Sequence, residues 1–368
     1  MTETIHTETV HVETKRRTGL LTLDRPKALN SLSLAMIRSL TSALLDWRDD
    51  PAIGAVVIRS SSERAFCAGG DIRFFYDAGL ATPAGGSALL EDFFTEEYAL
   101  NHLIHHYPKP YIALMDGVVM GGGMGIAQGG AGTGLRIVTE RTKMAMPEVN
   151  IGLFPDVGGS YFLPRTPGRL GTYLGVTGEV VGAADALYAG LADIFLPSAQ
   201  LPALHALLAD TSGEDLRHAI MAFAAPFQAA ADVAQCVLAR QRALIDLHFS
   251  HDSVSAIEAS LAADADPFAQ KTLATLHKRS PLMTCVTLEL LKRGADLSVA
   301  DCLRLERTLV RRCFEHREIL EGVRALVVDK DNAPRWEPTQ VADVTRELVA
   351  AFFEPAWPAH AHPLRMLA

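Results

Sequence analysis

The chain has 368 residues, 49% of them hydrophobic and 21% charged, and its formal net charge is −9. An acidic balance argues against nucleic acid as a partner, because nucleic-acid binders carry a basic footprint. The apolar content excludes whole-chain disorder, and at about 150 residues per domain the length suits two units or one large one.

Residues 1–17 carry Glu3, Glu8 and Glu13 and show no apolar run ahead of the first basic cluster. Neither a secretory signal nor an acid-poor transit peptide fits that pattern, so a cytoplasmic protein is expected. No stretch approaches the roughly 18 uninterrupted apolar residues of a membrane span, and no membrane partner is expected. Cys67, Cys236, Cys285, Cys302 and Cys313 are odd in number and contain no C-x-x-C pair. Buried or idle thiols in a reducing compartment are the reading they support.

In chain order, Gly19-Leu-Leu-Thr-Leu23 reads as a strand closed by Asp24-Arg25-Pro26. Ser33 then caps a helix whose Met36, Ile37, Leu40, Ala43, Leu44 and Trp47 recur at three- and four-residue steps on one face. Ala55-Val-Val-Ile58, Tyr111-Ile-Ala-Leu-Met115 and Arg136-Ile-Val-Thr139 follow as strands, the last two beside glycine-rich turns. The alternation of strands and helical patterns predicts an α/β or mixed architecture. The most linker-like stretch is Ala81-Thr-Pro-Ala-Gly-Gly-Ser87. From about Pro197 the pattern turns to Ala- and Leu-rich helical spacing, punctuated near Asp210, Ser250 and Ser280. Near the end, Val323 to Asp331 reads as a short apolar run and a charged turn.

There is no Walker A lysine loop and no G-x-S-x-G elbow, and Ile126 after Gly121-Gly-Gly-Met-Gly125 spoils a dinucleotide fingerprint. His102 and His106 lie four apart on a predicted helix but lack an acidic co-ligand, so a half-exposed helix surface is favoured over metal binding. Two glycine turns, Ala65-Phe-Cys-Ala-Gly-Gly-Asp-Ile72 and Asp116-Gly-Val-Val-Met-Gly-Gly-Gly-Met-Gly125, each follow a strand and open a helix. Facing each other they would hold an oxyanion on backbone N–H groups; singly, each is equally a tight turn. Glu148 and Asp156 stand eight residues apart in an otherwise apolar run. Desolvation would raise their pKa values towards acid–base use, whereas an N-cap or turn role for Asp156 and a surface place for Glu148 fit this stretch as well.

Taken together and in this order, the motifs resemble the crotonase (enoyl-CoA hydratase/isomerase) superfamily, and within it the 3-hydroxyisobutyryl-CoA hydrolase branch. The residues that carry the likeness are Leu23-Asp-Arg-Pro-Lys-Ala-Leu-Asn30, Phe66 to Ile72, Phe94-Thr-Glu-Glu-Tyr98, Met120 to Gly125, Met146 to Gly159, and Gly322 to Asp331. They cover nearly the whole chain, from about residue 10 to about 355. The resemblance implies an α/β fold, a spiral of stacked ββα units over residues 10–196 carrying the acyl-CoA site, with a helical C-terminal region over 197–355. It implies an acyl-coenzyme A thioester as ligand, hydrolysed to the free acid and coenzyme A in valine breakdown, with no metal or redox cofactor; a homo-oligomer is compatible with it. By the same resemblance the oxyanion donors are the N–H groups of Gly70 and Gly122, the catalytic acids are Glu148 and Asp156, and Glu97 contacts substrate. Hydratases place a first glutamate where this chain has Gly125, which disfavours hydration and leaves hydrolysis or a one-glutamate isomerisation; a non-catalytic acyl-CoA binder is a further alternative. The run Gly129 to Gly134 is longer than the family's usual turn. Arg25 and Lys27 are candidates for the coenzyme A phosphates, or else a solvated turn.

Overall fold

The computed structural model describes residues 5–7, 9–82, 86–129, 133–211 and 213–368. The centre of the linker-like stretch, 83–85, and the glycine run at 130–132 lie outside the described residues. Contacts group the chain into two units that alternate along the sequence. The first takes the described residues up to Gly70 with Ala99–Ala145 and Val180–Ala239; the second takes Asp71–Tyr98, Met146–Glu179 and Arg240–Ala368. The expected boundary at 197 is therefore not where compactness divides the chain. The segment after Pro197 is helical, as expected, but its first helices cover the sheet of the first unit.

In the first unit, strands β1 (Ile5–Thr7), β2 (Val10–Lys15), β3 (Thr18–Leu23) and β4 (Ala55–Ser60) are followed by β5 (Ala65–Cys67), β6 (Tyr111–Met115) and β7 (Val118–Met120). Strands β8 (Leu135–Val138), β9 (Lys143–Ala145) and β10 (Ile194–Phe195) complete the set. They form a seven-stranded sheet in the order β1-β2-β3-β4-β6-β8-β10 and a three-stranded sheet in the order β5-β7-β9. Each successive pair, β4 then β5, β6 then β7, β8 then β9, sends one strand to the large sheet and the next to the small one. That repetition is the ββα spiral the sequence led us to expect.

Beyond β3 the large sheet is parallel, and its registers align Leu20, Val57, Ile112 and Leu135 in one row and Leu114, Ile137 and Ile194 in another. Both rows belong to one core with Leu204, Leu208, Leu216 and Ile220 from the helices after residue 200. Parallel sheets are stable only when covered in this way. Ser33 caps the Leu34–Arg48 helix by accepting from Met36 N–H, and the six residues of its predicted apolar face are its buried ones. Asn30, at φ 55°, donates to Ser60 Oγ, Ala65 O and Phe66 O and accepts from Arg25 N–H, so the Leu23 to Asn30 motif pins the end of β4 to β5.

The second unit is helical. Phe75, Phe93, Phe94 and Phe314 form a ring cluster with centroids 4.8 to 5.8 Å apart. Ser253, three residues after Ser250, and Ser280 lie in two of the stretches that punctuate the sequence and are N-caps of Val254–Ala262 and Pro281–Gly294. Gly152 and Gly322 let backbones meet: a Cβ on the first would strike the Glu318 carbonyl, and on the second Ile151. The segment around residues 148–159 is thereby seated on the C-terminal helices. Over Val323 to Asp331 the Glu318–Val323 helix continues as a π-helical turn, Arg324–Val328, and Arg324 pairs with Glu321, Asp329 and Asp331 at 2.6–2.7 Å. One helical run, Leu216–His248, is long and apolar enough by composition to cross a membrane, yet Asp232 in a left-handed conformation and two 3-10 segments interrupt it.

Candidate active site

The two glycine turns both lie in the first unit, and they touch. Gly69 sits at φ 105°, and a Cβ there would stand 3.2 Å from Met120 O and 3.7 Å from Gly122 N. A Cβ on Gly123 would collide with the Cys67 carbonyl. Gly121, at φ 50°, turns the chain into the single helical turn Gly122–Gly125. Among the described residues, neither the Gly70 nor the Gly122 N–H donates to a backbone carbonyl. Gly123→Ala should therefore lower stability by about 1–3 kcal/mol, the range for overpacking a tight contact, measured by thermal or denaturant unfolding against wild type.

The acidic residues gather in the second unit. Glu97 and Tyr98 sit on the Ala88–His105 helix, Glu148 opens the 3-10 turn Glu148–Asn150, and Asp156 precedes the short Gly159–Phe162 helix. All three acids are buried, Glu97 at 2% and Glu148 and Asp156 at 5% exposure. That places Glu148 off the surface and Asp156 in a turn that is buried. Tyr98 Oη donates to Asp156 Oδ2 at 2.7 Å. Glu97 Oε1 and Glu148 Oε2 are buried without a hydrogen-bond partner among the described residues, which leaves both free to bond a substrate atom.

Burial, and then the charge of Asp156, hold the carboxyls of Glu97 and Glu148 well above the ordinary range. Asp156 is pushed up by burial to about 6, against which the Tyr98 hydroxyl works. Burial and like charge thus raise all three carboxyls together, as in acid–base sites.

A fourth acid, Glu306, went unrecognised in the sequence. It lies on the Val299–Glu315 helix, is fully buried, and accepts hydrogen bonds from Gly158 N–H at 2.9 Å and from Ser160 N–H at 3.0 Å. A signal was available: Cys302, Leu303, Leu309, Val310 and Cys313 form a buried stripe at helical spacing, and Glu306 falls inside it. The other candidates are surface features. Arg25 donates to Ser31 O and Oγ, and Lys27 is exposed on the Pro26–Ala28 turn. The rings of His102 and His106 lie 4.3 Å apart, and the described residues contain no group of side chains suited to a metal.

Residues 18–353 match the family model for enoyl-CoA hydratase/isomerase. The chain belongs to that family. Its curated relatives include the 3-hydroxyisobutyryl-CoA hydrolases, called mitochondrial, of Xenopus tropicalis and Rattus norvegicus. The first is 42% identical over 91% of this chain and 86% of that protein, the second 39% over 95% and 90%. Among solved structures, a carnitinyl-CoA dehydratase from Mycobacterium thermoresistibile matches with a TM-score of 0.84 at 39% identity, covering 96% of this chain and 98% of that one. An enoyl-CoA hydratase from Rhodobacter sphaeroides 2.4.1 matches at 0.82 and 36%, covering 95% and 98%.

Proposed function

We propose that the protein is a thioester hydrolase that converts 3-hydroxyisobutyryl-CoA, or a close 3-hydroxyacyl-CoA, to the free acid and coenzyme A, a step of valine breakdown. The observation that carries this reading is the buried triad Glu97, Glu148 and Asp156, whose carboxyls burial raises above their ordinary range and two of whose oxygens lack a hydrogen-bond partner among the described residues. Relatives at about 40% identity named as such hydrolases support it.

In this reading the N–H groups of Gly70 and Gly122 take the thioester oxygen as it gains charge, replacing solvation with fixed donors. Asp156 accepts the proton that Glu148 gives up, and Glu148 either attacks the acyl carbon, expelling the thiolate and leaving an anhydride that water then hydrolyses, or takes a proton from the water that attacks the thioester directly. The proton returns to the departing thiolate, so that thioester and water become acid and thiol. Glu97 holds the substrate hydroxyl. A base and an oxyanion site suffice for acyl transfer to water, so the reading asks for no resident metal or redox group; turnover that survives chelation would bear this out. The compartment we propose is the cytoplasm, on the chemistry of five free cysteines, and cell fractionation tests it.

Thiol release from a panel of 3-hydroxyacyl-CoA esters tests the function: rapid release from the 3-hydroxyisobutyryl ester supports it, and none from any ester overturns it. Single-turnover labelling with solvent oxygen separates the two routes, since isotope in the Glu148 carboxylate marks a covalent acyl-enzyme.

A further inference from the structure

Asp156 owes its place to a turn that the local sequence does not favour. Val157, directly after it, has φ 51°, an uncommon conformation for a β-branched residue, and Gly158 continues at φ 91°. Strain of this kind persists only where surroundings over-determine it. Here the surroundings are Glu306. Its Oε2 accepts from Gly158 N–H, and its Oε1 meets both the N–H and the hydroxyl of Ser160, the last at 2.5 Å. The next residue, Arg307, reaches the other way: its Nε donates to Thr95 Oγ1 at 3.0 Å and its guanidinium pairs with Glu91 at 2.5 Å, both on the helix that carries Glu97 and Tyr98.

We infer that Glu306 is a positioning residue, which grips the turn at residues 157–160 from the Val299–Glu315 helix and so holds the Asp156 carboxylate within the acidic cluster. This rests on the hydrolase reading given above. The titratable groups that face Glu306 are Asp156 on the gripped loop, Glu148 on its 3-10 turn, Tyr98 on the Ala88–His105 helix and Cys302 one turn earlier on its own helix. Burial pushes the Glu306 carboxyl up to about 8, while the Ser160 hydroxyl pulls it down. Near neutral pH it is protonated, with its O–H free to donate to Ser160 Oγ and its carbonyl oxygen to accept from Gly158. Above about 8 it gains a negative charge directed at the ionised Asp156.

The test is Glu306→Gln, whose amide brings an N–H donor against the Ser160 N–H or the Gly158 N–H. The expected result is a kcat about tenfold lower, with KM changed by less than about threefold. Wild-type kcat is expected to decline above about pH 8, and that decline should be absent from the variant, which no longer gains that charge. A folded variant with wild-type kcat and an unchanged alkaline limb overturns the inference. Ser160→Ala covers the case in which Glu306→Gln fails to fold. It leaves both N–H bonds in place and removes a bond that holds the Glu306 pKa down, so the alkaline limb should move to higher pH; an unmoved limb in that variant overturns the inference too. A readout independent of turnover keeps the two readings apart. The carboxyl carbon-13 resonance of Asp156 should show a step near pH 8 in wild type that is absent from Glu306→Gln. Loss of that step in the variant, in a protein that releases no thiol from any ester, would support the positioning role while the hydrolase reading falls. A wild-type titration without that step would overturn the positioning role.

Discussion

Glu148→Gln and Asp156→Asn are each expected to lower thiol release about 10²-fold or more while the fold and coenzyme A affinity survive, because the amides keep the shape and remove only the ionisable function. The two variants should differ in pH dependence. With Asp156 ionising at about 6, wild-type kcat should rise as pH passes through that value; in Asp156→Asn the residual activity should lack that rise. Stability should move in the opposite direction. The folded-state pKa of Asp156 lies above its ordinary 3.8, so the stability this group contributes is fully present below about pH 3.8 and is lost as pH rises through about 6. At about 1.4 kcal/mol per pH unit that interval is worth about 3 kcal/mol. Asparagine has no charge to bury, so relative to wild type Asp156→Asn should gain up to about that amount between pH 4 and pH 7, read from denaturant unfolding at the two pH values. Wild-type turnover in the asparagine protein, or a stability difference that does not vary with pH, would return Asp156 to a merely structural part of the turn.

That balance of cost and use explains which parts of the molecule the sequence revealed. Local rules decide the Leu34–Arg48 helix: a capping serine and one apolar stripe are sufficient, and its buried residues are the predicted ones. The parallel strands were legible for a related reason, since a strand covered on both faces must be apolar along its length. The acids were legible through the company they keep, Glu148 among Met146, Val149 and Ile151, and Asp156 between Phe154 and Val157. What one stretch could not decide was whether they were buried, because burial depends on Glu318, Ser280 and the Val299–Glu315 helix, more than 120 residues away. Glu306 shows the limit most clearly. Its partners Gly158 and Ser160 lie 148 and 146 residues from it, and only the tertiary fold brings a lone glutamate in an apolar stripe to a turn whose N–H groups it accepts from. The grouping of the chain into two alternating units is equally non-local. The composition of Leu201–Asp210 and Pro281–Gly294 does not say which unit each joins, and only packing sends the first to the sheet and the second to the turn that carries Glu148.

The comparisons also set up a question of reaction type, since hydrolases stand among the curated relatives and a hydratase and a dehydratase among the solved structures. Gly125 bears on it. Adding water across a conjugated enoyl thioester requires both activation of the water and protonation of the α-carbon, and the hydratases that this chain resembles divide that work between two glutamates. Gly125 is buried in the single turn Gly122–Gly125, and residues 120–128 contain no acidic side chain to stand in for the missing glutamate. One acid–base partner is typically worth about 10²–10⁴-fold. Hydration of a short enoyl-CoA should therefore run at least about 10²-fold slower than thiol release from 3-hydroxyisobutyryl-CoA. Both rates can be followed on one purified sample, the first by loss of the conjugated enoyl absorbance and the second with a thiol reagent. Hydration as fast as hydrolysis would overturn the hydrolase reading, and it would mean that Glu97 or Asp156, acids already buried and raised in pKa, does the work of the absent glutamate.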